Sequence, residues 1–302
     1  MRKLLVATSL SVLVALVGGC GLARMIQDMP IVDPIKPTPT AIPPTPIGQT
    51  GEWTLIFNDE FTGSTLDTSR WTTGYWWGKQ GCTIATNAEL EWYQPDQVLV
   101  ADGVLRLRAE PRTLEATNGK VYRYTSGVVT TGRASSNTTH PARFSFTYGY
   151  AEIRARIPTG RGLWPAFWLL PIDHNSRPEI DVMEIIGHEP QVVYLRFHYL
   201  DADGRRRDVG GKWAGPDFSE GWHTFAIDWQ PTALTWYVDG VERWRYTDQS
   251  AIPAEPMYLL ANLAVGGNWP GAPDDSTLFP SDYQIDYVRV WQTGERVRGS
   301  TN

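Results

Sequence analysis

Pro178-Glu179-Ile180-Asp181-Val182-Met183-Glu184-Ile185-Ile186-Gly187 places three carboxylates within a segment otherwise built from Ile, Val and Met. A β-branched run that ends in Gly reads as a buried strand. Side chains at i and i+2 of a strand share a face, so Glu179 and Asp181 point the same way. Glu184 stands an odd number of residues from both and would face the opposite side of a regular strand. One extra residue inserted as a β-bulge between Asp181 and Glu184 restores the phase and gathers all three acids on one face. Three acids on a buried face repel one another and are costly to desolvate, so stability alone does not account for them.

The chemistry such a face suits is hydrolysis of a glycosidic bond. In the retaining mechanism one carboxylate is the nucleophile and a second serves first as general acid, then as base. A third acid between them raises the acid's pKa by like charge and holds the nucleophile through a hydrogen bond. The spacing alone also fits the wet face of an ordinary amphipathic strand, where glutamates are common.

Outward from this stretch, short alternating segments dominate. Val104 to Ala109 alternates Leu with Arg, and Ala151, Ile153, Ala155 and Ile157 share a face opposite Glu152, Arg154 and Arg156. Phe225, Ile227 and Trp229 alternate in the same way. Trp236-Tyr237-Val238 and Val241-Glu242-Arg243-Trp244 flank Asp239-Gly240, the turn pair of a tight hairpin. Asp102-Gly103, Asn118-Gly119 and Asp203-Gly204 mark further turns, and Arg205-Arg206-Arg207 reads as an exposed basic turn. No long stretch keeps a helical period. The expected fold is all-β, a sandwich or barrel of many short strands.

A net charge of -6 argues against nucleic acid as a partner. Five His and two Cys lie scattered, without the ligand spacing of a transition-metal site. The 14 Trp residues exceed what one core needs, and sugar rings stack well on indole. Trp164 and Trp168 stand four apart and share a strand face, while Trp269 sits in a Gly-rich loop. Trp76 and Trp77 are candidates for a cleft rim. His198 falls on a strand expected beside the acidic one, as a satisfied strand histidine or as a contact near the acids.

The pattern Glu179-x-Asp181-x-x-Glu184 followed by Ile-Ile-Gly resembles the active-site strand of glycoside hydrolase family 16, in the bulged version of its laminarinases, agarases and carrageenases. Asp59-Glu60-Phe61, Asn87 through Tyr93, Trp164 through Pro171, Leu263 through Gly271 and Ile285 through Val290 resemble further blocks of that family, in its order. The resemblance implies a jelly-roll sandwich of two curved antiparallel sheets, the concave one forming the substrate cleft. It implies Glu179 as nucleophile, Glu184 as acid/base and Asp181 as support, with no cofactor for catalysis. It places Trp164, Trp168 and Asn87 along the substrate, and adds His198 and Trp269 as further contacts. It also implies a structural Ca²⁺ held by Glu60, the carbonyl of Gly103 and Asp286. The blocks around Trp164 and Trp269 resemble most those of β-1,3-glucanases, which makes a β-glucan polysaccharide the expected partner of a monomeric enzyme. Mixed-linkage glucan is the alternative, and a silent glucan-binding protein a second. The short connection from Pro171 to Pro178, with His174-Asn175, departs from common laminarinases and bears on linkage preference.

Four segments are expected along the chain. Residues 1–19 pair Arg2 and Lys3 with the apolar Leu4–Val17 and end in small residues before Cys20, which resembles a bacterial lipoprotein signal acylated at Cys20. Residues 20–50 form a Pro/Thr-rich tether, whose seven prolines between Pro30 and Pro46 favour an extended polyproline-like spacer. Residues 51–293 are the catalytic domain and 294–302 a tail. The expected location is outside the cytoplasm, held at a membrane by the lipid alone or secreted. Cys82 is then a free, buried thiol.

Overall fold

The computed structural model describes residues 42–43, 45–76, 82–133, 140–173 and 176–293. The chain divides into two units, Met1–Ile35 and Lys36–Asn302, and every described residue belongs to the second. The signal segment, Cys20, most of the tether, Trp77, His174-Asn175 and the tail lie outside the described residues.

The described chain is nearly all strand. In order come β1 (Trp53–Asp59), β2 (Glu91–Tyr93), β3 (Val98–Ala101), β4 (Val104–Glu115), β5 (Val121–Ser126), β6 (Val128–Thr130), β7 (Gly149–Arg156) and β8 (Leu163–Pro171). They continue with β9 (Glu179–Ile185), β10 (Val192–Leu200), β11 (Arg206–Ala214), β12 (His223–Gln230), β13 (Ala233–Val238), β14 (Val241–Tyr246), β15 (Met257–Val265) and β16 (Ser281–Thr293). One sheet runs β14-β13-β12-β7-β16-β4-β5-β2, with β1 added on β16 and β3 on β4. The second runs β11-β10-β9-β8-β15-β6. This is the expected sandwich, with the acidic strand β9 near the middle of the second sheet.

Period-two patterning explains the layers. Ala151, Ile153 and Ala155 of β7 and Phe225, Ile227 and Trp229 of β12 enter the core between the sheets, where they meet Ile180, Val182, Met183 and Ile185 of β9. The hairpin at Asp239-Gly240 takes positive φ at both residues (51° and 74°), the backbone a two-residue loop needs to match strand twist. Asp102-Gly103 does the same between β3 and β4.

Three details differ from the sequence expectation. On the outward face of β7, where Arg154 and Arg156 are half-buried, Glu152 is fully buried and accepts the Tyr287 hydroxyl at 2.7 Å. The basic run does not stay in its turn. Asp203-Gly204 turns, but Arg206 and Arg207 already belong to β11 and pair with Leu200 and Tyr199. Cys82 is a free thiol but only half-buried.

Candidate active site

The bulge in β9 is present and is what builds the site. Glu184 pairs with Ala166 of β8 and Tyr194 of β10, and Asp181 with Trp168 and Arg196. Both ladders skip Val182, the extra residue. Glu179 pairs with His198. The four apolar residues of the strand have no exposed surface, so the three carboxylates take the other face together. A bulge also turns a backbone carbonyl out of the ladder. Here the indole of Trp236, on β13 in the opposite sheet, donates to the Asp181 carbonyl at 2.8 Å, so the kink is satisfied from within the core.

The acids sit in a cleft of about 850 Å³. Burial pushes Glu179 up to about 8, and the charge of Asp181 pushes the same way, while His198 and Arg177 oppose it. Asp181 rises to about 7, again by burial first and then by Asp208. Glu184 is driven well above the usual carboxylate range by burial and by both neighbouring acids. Three carboxyls that shed protons reluctantly, with Glu184 facing two like charges, suit a proton donor beside a nucleophile. His198 lies between two carboxylates, its Nε2 3.1 Å from Asp181 Oδ2 and its Nδ1 3.7 Å from Asp208 Oδ1. Glu179, Asp181 and His198 offer ligand atoms within 4.8 Å of one another, a donor set that sequence spacing did not suggest because β10 supplies the imidazole.

The aromatic residues divide into wall and floor. Trp269 and Trp164 line the cleft and meet edge-on at 5.1 Å, and Trp269 packs against Tyr194 at 4.8 Å. Trp168 is floor. It is only 7% exposed, donates to Asn262 Oδ1 at 2.8 Å, and packs with Tyr75, Tyr93 and Tyr258. Trp76 lines the cleft, as expected of a rim residue, and donates to the Tyr258 hydroxyl. Asn87 also lines it, its carbonyl accepting the Asn268 N–H at 2.8 Å and its Nδ2 donating to Glu89 Oε1 at 2.9 Å.

Several residues at the site had not been singled out. Glu89 and Glu91 form a second buried carboxylate pair under Asn87, both raised by burial. Glu89 accepts the Ile84 N–H and Glu91 the Val265 N–H, so the pair ties Asn87 to the end of β15. Their Glu-x-Glu spacing is the same i, i+2 signal that marks Glu179 and Asp181. Arg177, Arg196, Arg206 and Asp208 line the cleft as well. The first stands two residues before Glu179, and the others reach the face only through the register of β10 and β11.

Glu60, Gly103 and Asp286 come close along the chain's ladders, since Asp59 pairs with Val288 and Leu105 with Ile285. Both carboxylates are engaged by arginine, however. Glu60 takes Arg289 through two 2.8 Å bonds and Asp286 takes Arg154 at 2.5 Å. Two guanidinium groups supply the positive charge a Ca²⁺ would bring, so as arranged these oxygens do not fit the ion.

The family model described as "Glycosyl hydrolases family 16" matches residues 108–289. One described as "Beta-glucan synthesis-associated protein SKN1/KRE6/Sbg1" matches residues 22–184. An endo-1,3-1,4-beta-glycanase of Rhizobium meliloti is 36% identical over 79% of this chain and 51% of its own. A glucan endo-1,3-beta-glucosidase of Niallia circulans is 35% identical over 79% of this chain and 38% of its own. The chain thus spans about half or less of these two curated relatives. The solved endo-beta-1,3-glucanase of Pyrococcus furiosus superposes with a TM-score of 0.70 at 33% identity, over 83% of this chain and 98% of that one.

Proposed function

The chain belongs to glycosyl hydrolase family 16, and on that premise we propose that it is a retaining endo-glycosidase acting on β-1,3-glucan. The observation that carries the reading is the bulge at Val182, which sets Glu179, Asp181 and Glu184 side by side on the floor of an aromatic-walled cleft. Glu179 attacks the anomeric carbon while Glu184 gives its proton to the departing glycosidic oxygen. Glu184, now a carboxylate, takes a proton from water, and the hydroxide releases the sugar from Glu179 with the original anomeric configuration. No step needs a cofactor. Asp181 keeps Glu184 protonated by its charge and accepts a hydrogen bond from Glu179 until that group ionises. Glu179 must be ionised to attack, and the positive charge of Arg177 and, when protonated, of His198 favours that state.

The β-1,3 linkage is supported by the named activities of the Niallia and Pyrococcus proteins. Mixed-linkage glucan is the second reading, favoured by the name of the Rhizobium relative. Reducing-sugar release from laminarin, barley glucan and agarose in parallel tests both readings. Laminarin cleavage is expected, with the Glu184→Gln protein still folded and losing about 10²–10⁴ of the rate. Release from agarose alone would keep the mechanism and overturn the substrate. Near-normal turnover by the variant would overturn the acid/base assignment.

The reading extends to the ends of the chain. Acylation of Cys20 would tether a monomeric enzyme outside the cytoplasm, and the mass of the mature N-terminus tests it: a free Cys20 thiol removes the anchor. A Ca²⁺ at Glu60, Gly103 and Asp286 would have to displace Arg289 and Arg154. The expected melting temperature is therefore the same with added calcium as with EDTA, and a rise of several degrees with calcium would restore the site.

A further inference from the structure

Resting on the glycan-hydrolase reading, we propose that the end of the cleft walled by β9, β10 and β11 binds an anionic group carried by the polysaccharide, a carboxylate or a sulfate ester, through Arg177, Arg196 and Arg206. Half of the described arginines of this acidic molecule are matched to a carboxylate, as in Arg108–Asp282, Arg112–Asp96 and Arg245–Glu242. These three line the cleft, and among the described residues their side chains make no ion pair or hydrogen bond, the Arg196 guanidinium standing 5.8 Å from the Tyr194 ring centre. Nη1 of Arg177 is buried without an acceptor. A buried guanidinium N–H left unpaired is costly, and an oxygen of a bound ligand is the acceptor that would remove the cost.

Their placement is ordered. His198 pairs with Glu179 on one side and Asp208 on the other. One row along, Arg196 pairs with Asp181 and with Gly210. Gly210 has no side chain, and the Arg196 stem lies across it: a Cβ there would stand 2.7 Å from Arg196 Cδ. On the other side of His198, extending the register puts Arg177 level with Leu200, whose partner on β11 is Arg206. The arginines thus bracket His198 on one face. Asp208 is the acid of that end outside the catalytic trio and stands 3.7 Å from His198, while Arg177 and Arg196 also face the charges of the trio. A neutral glucan needs hydroxyl partners and aromatic faces, which the Asn87 and Trp269 side supplies. Planar guanidinium groups match carboxylate and sulfate oxygens instead.

The test compares kcat/KM on laminarin with that on the same laminarin partially sulfated or carboxymethylated. Wild type, Arg196→Gln and Arg206→Gln are assayed at low and high NaCl. The charged-to-neutral ratio is expected to exceed one in the wild type, to fall with salt, and to drop about tenfold in each variant. The sulfated and carboxymethylated arms decide which anion is preferred. A ratio at or below one, or one that the variants leave unchanged, overturns the proposal. Calorimetric binding of the same glucans to the Glu184→Gln protein separates this outcome from failure of the reading it rests on. Arginine-dependent binding of charged glucan without cleavage of any by the wild type would overturn the β-1,3-glucanase reading and uphold the subsite. Binding of none would overturn both.

Discussion

Asp181 is the residue on which the site's proton traffic turns. It is 4% exposed, stands between Glu179 and Glu184, and its charge raises both. Replacing it with Asn removes a negative neighbour without changing shape. Glu179 and Glu184 then ionise more readily, so each comes down from its raised value. The limb on which Glu179 must lose its proton and the limb on which Glu184 must keep it should therefore both move to lower pH. A kcat/KM profile of Asp181→Asn is expected to show the optimum displaced acidward. An optimum that stays put or moves alkaline would show that Asp181 does not set these values. This role follows from one carboxylate lying within reach of two others, and the phase of β9 is what brings it there.

At the scale of the element, the acids at 179, 181 and 184 and the apolar residues at 180, 182, 183 and 185 cannot both be served without one extra residue. The bulge was therefore legible in seven letters of sequence. Its support was not. Trp236 stands far along the chain in the other sheet, and its bond to the Asp181 carbonyl depends on how the two sheets lie on one another. The same limit hid the arginine end of the cleft, since it takes the β10–β11 register to set Arg196 beside Gly210 and Arg206 beside Leu200. Trp236→Phe keeps most of the apolar volume and leaves that carbonyl unpaired in the core. The expected cost is about 1–3 kcal/mol of stability, together with a fall in kcat larger than any change in KM, because the bulge sets the carboxylates rather than the sugar-binding wall. A variant that loses stability but keeps kcat would mean the bulge holds its shape without Trp236.

For the whole molecule, the buried carboxyls make folding itself depend on pH. Glu152 lies outside the cleft, fully buried on β7 under the Tyr287 hydroxyl, and burial raises it from 4.5 to about 7. The folded state thus holds this proton more tightly than the unfolded chain does. Its stabilising contribution is complete below about pH 4.5 and is lost as pH rises through about 7. A shift of this size corresponds to about 3 kcal/mol between those limits. Glu179 and Asp181, raised to about 8 and about 7, act with the same sign, so the melting temperature should decline from pH 5 to pH 8. Glu152→Gln keeps a neutral acceptor for Tyr287 and has no proton to lose. It should melt near the wild type at pH 5 and several degrees above it at pH 8, at about 2–4 °C per kcal/mol for a domain of this size. The catalytic acids remain in the variant, so a shallower decline should persist, and it should shallow further when Glu184→Gln is added. Parallel melting curves for Glu152→Gln and wild type across this range would show that Glu152 is already ionised in the fold, held by Arg289 and Arg154, and that the pH dependence belongs to the cleft alone.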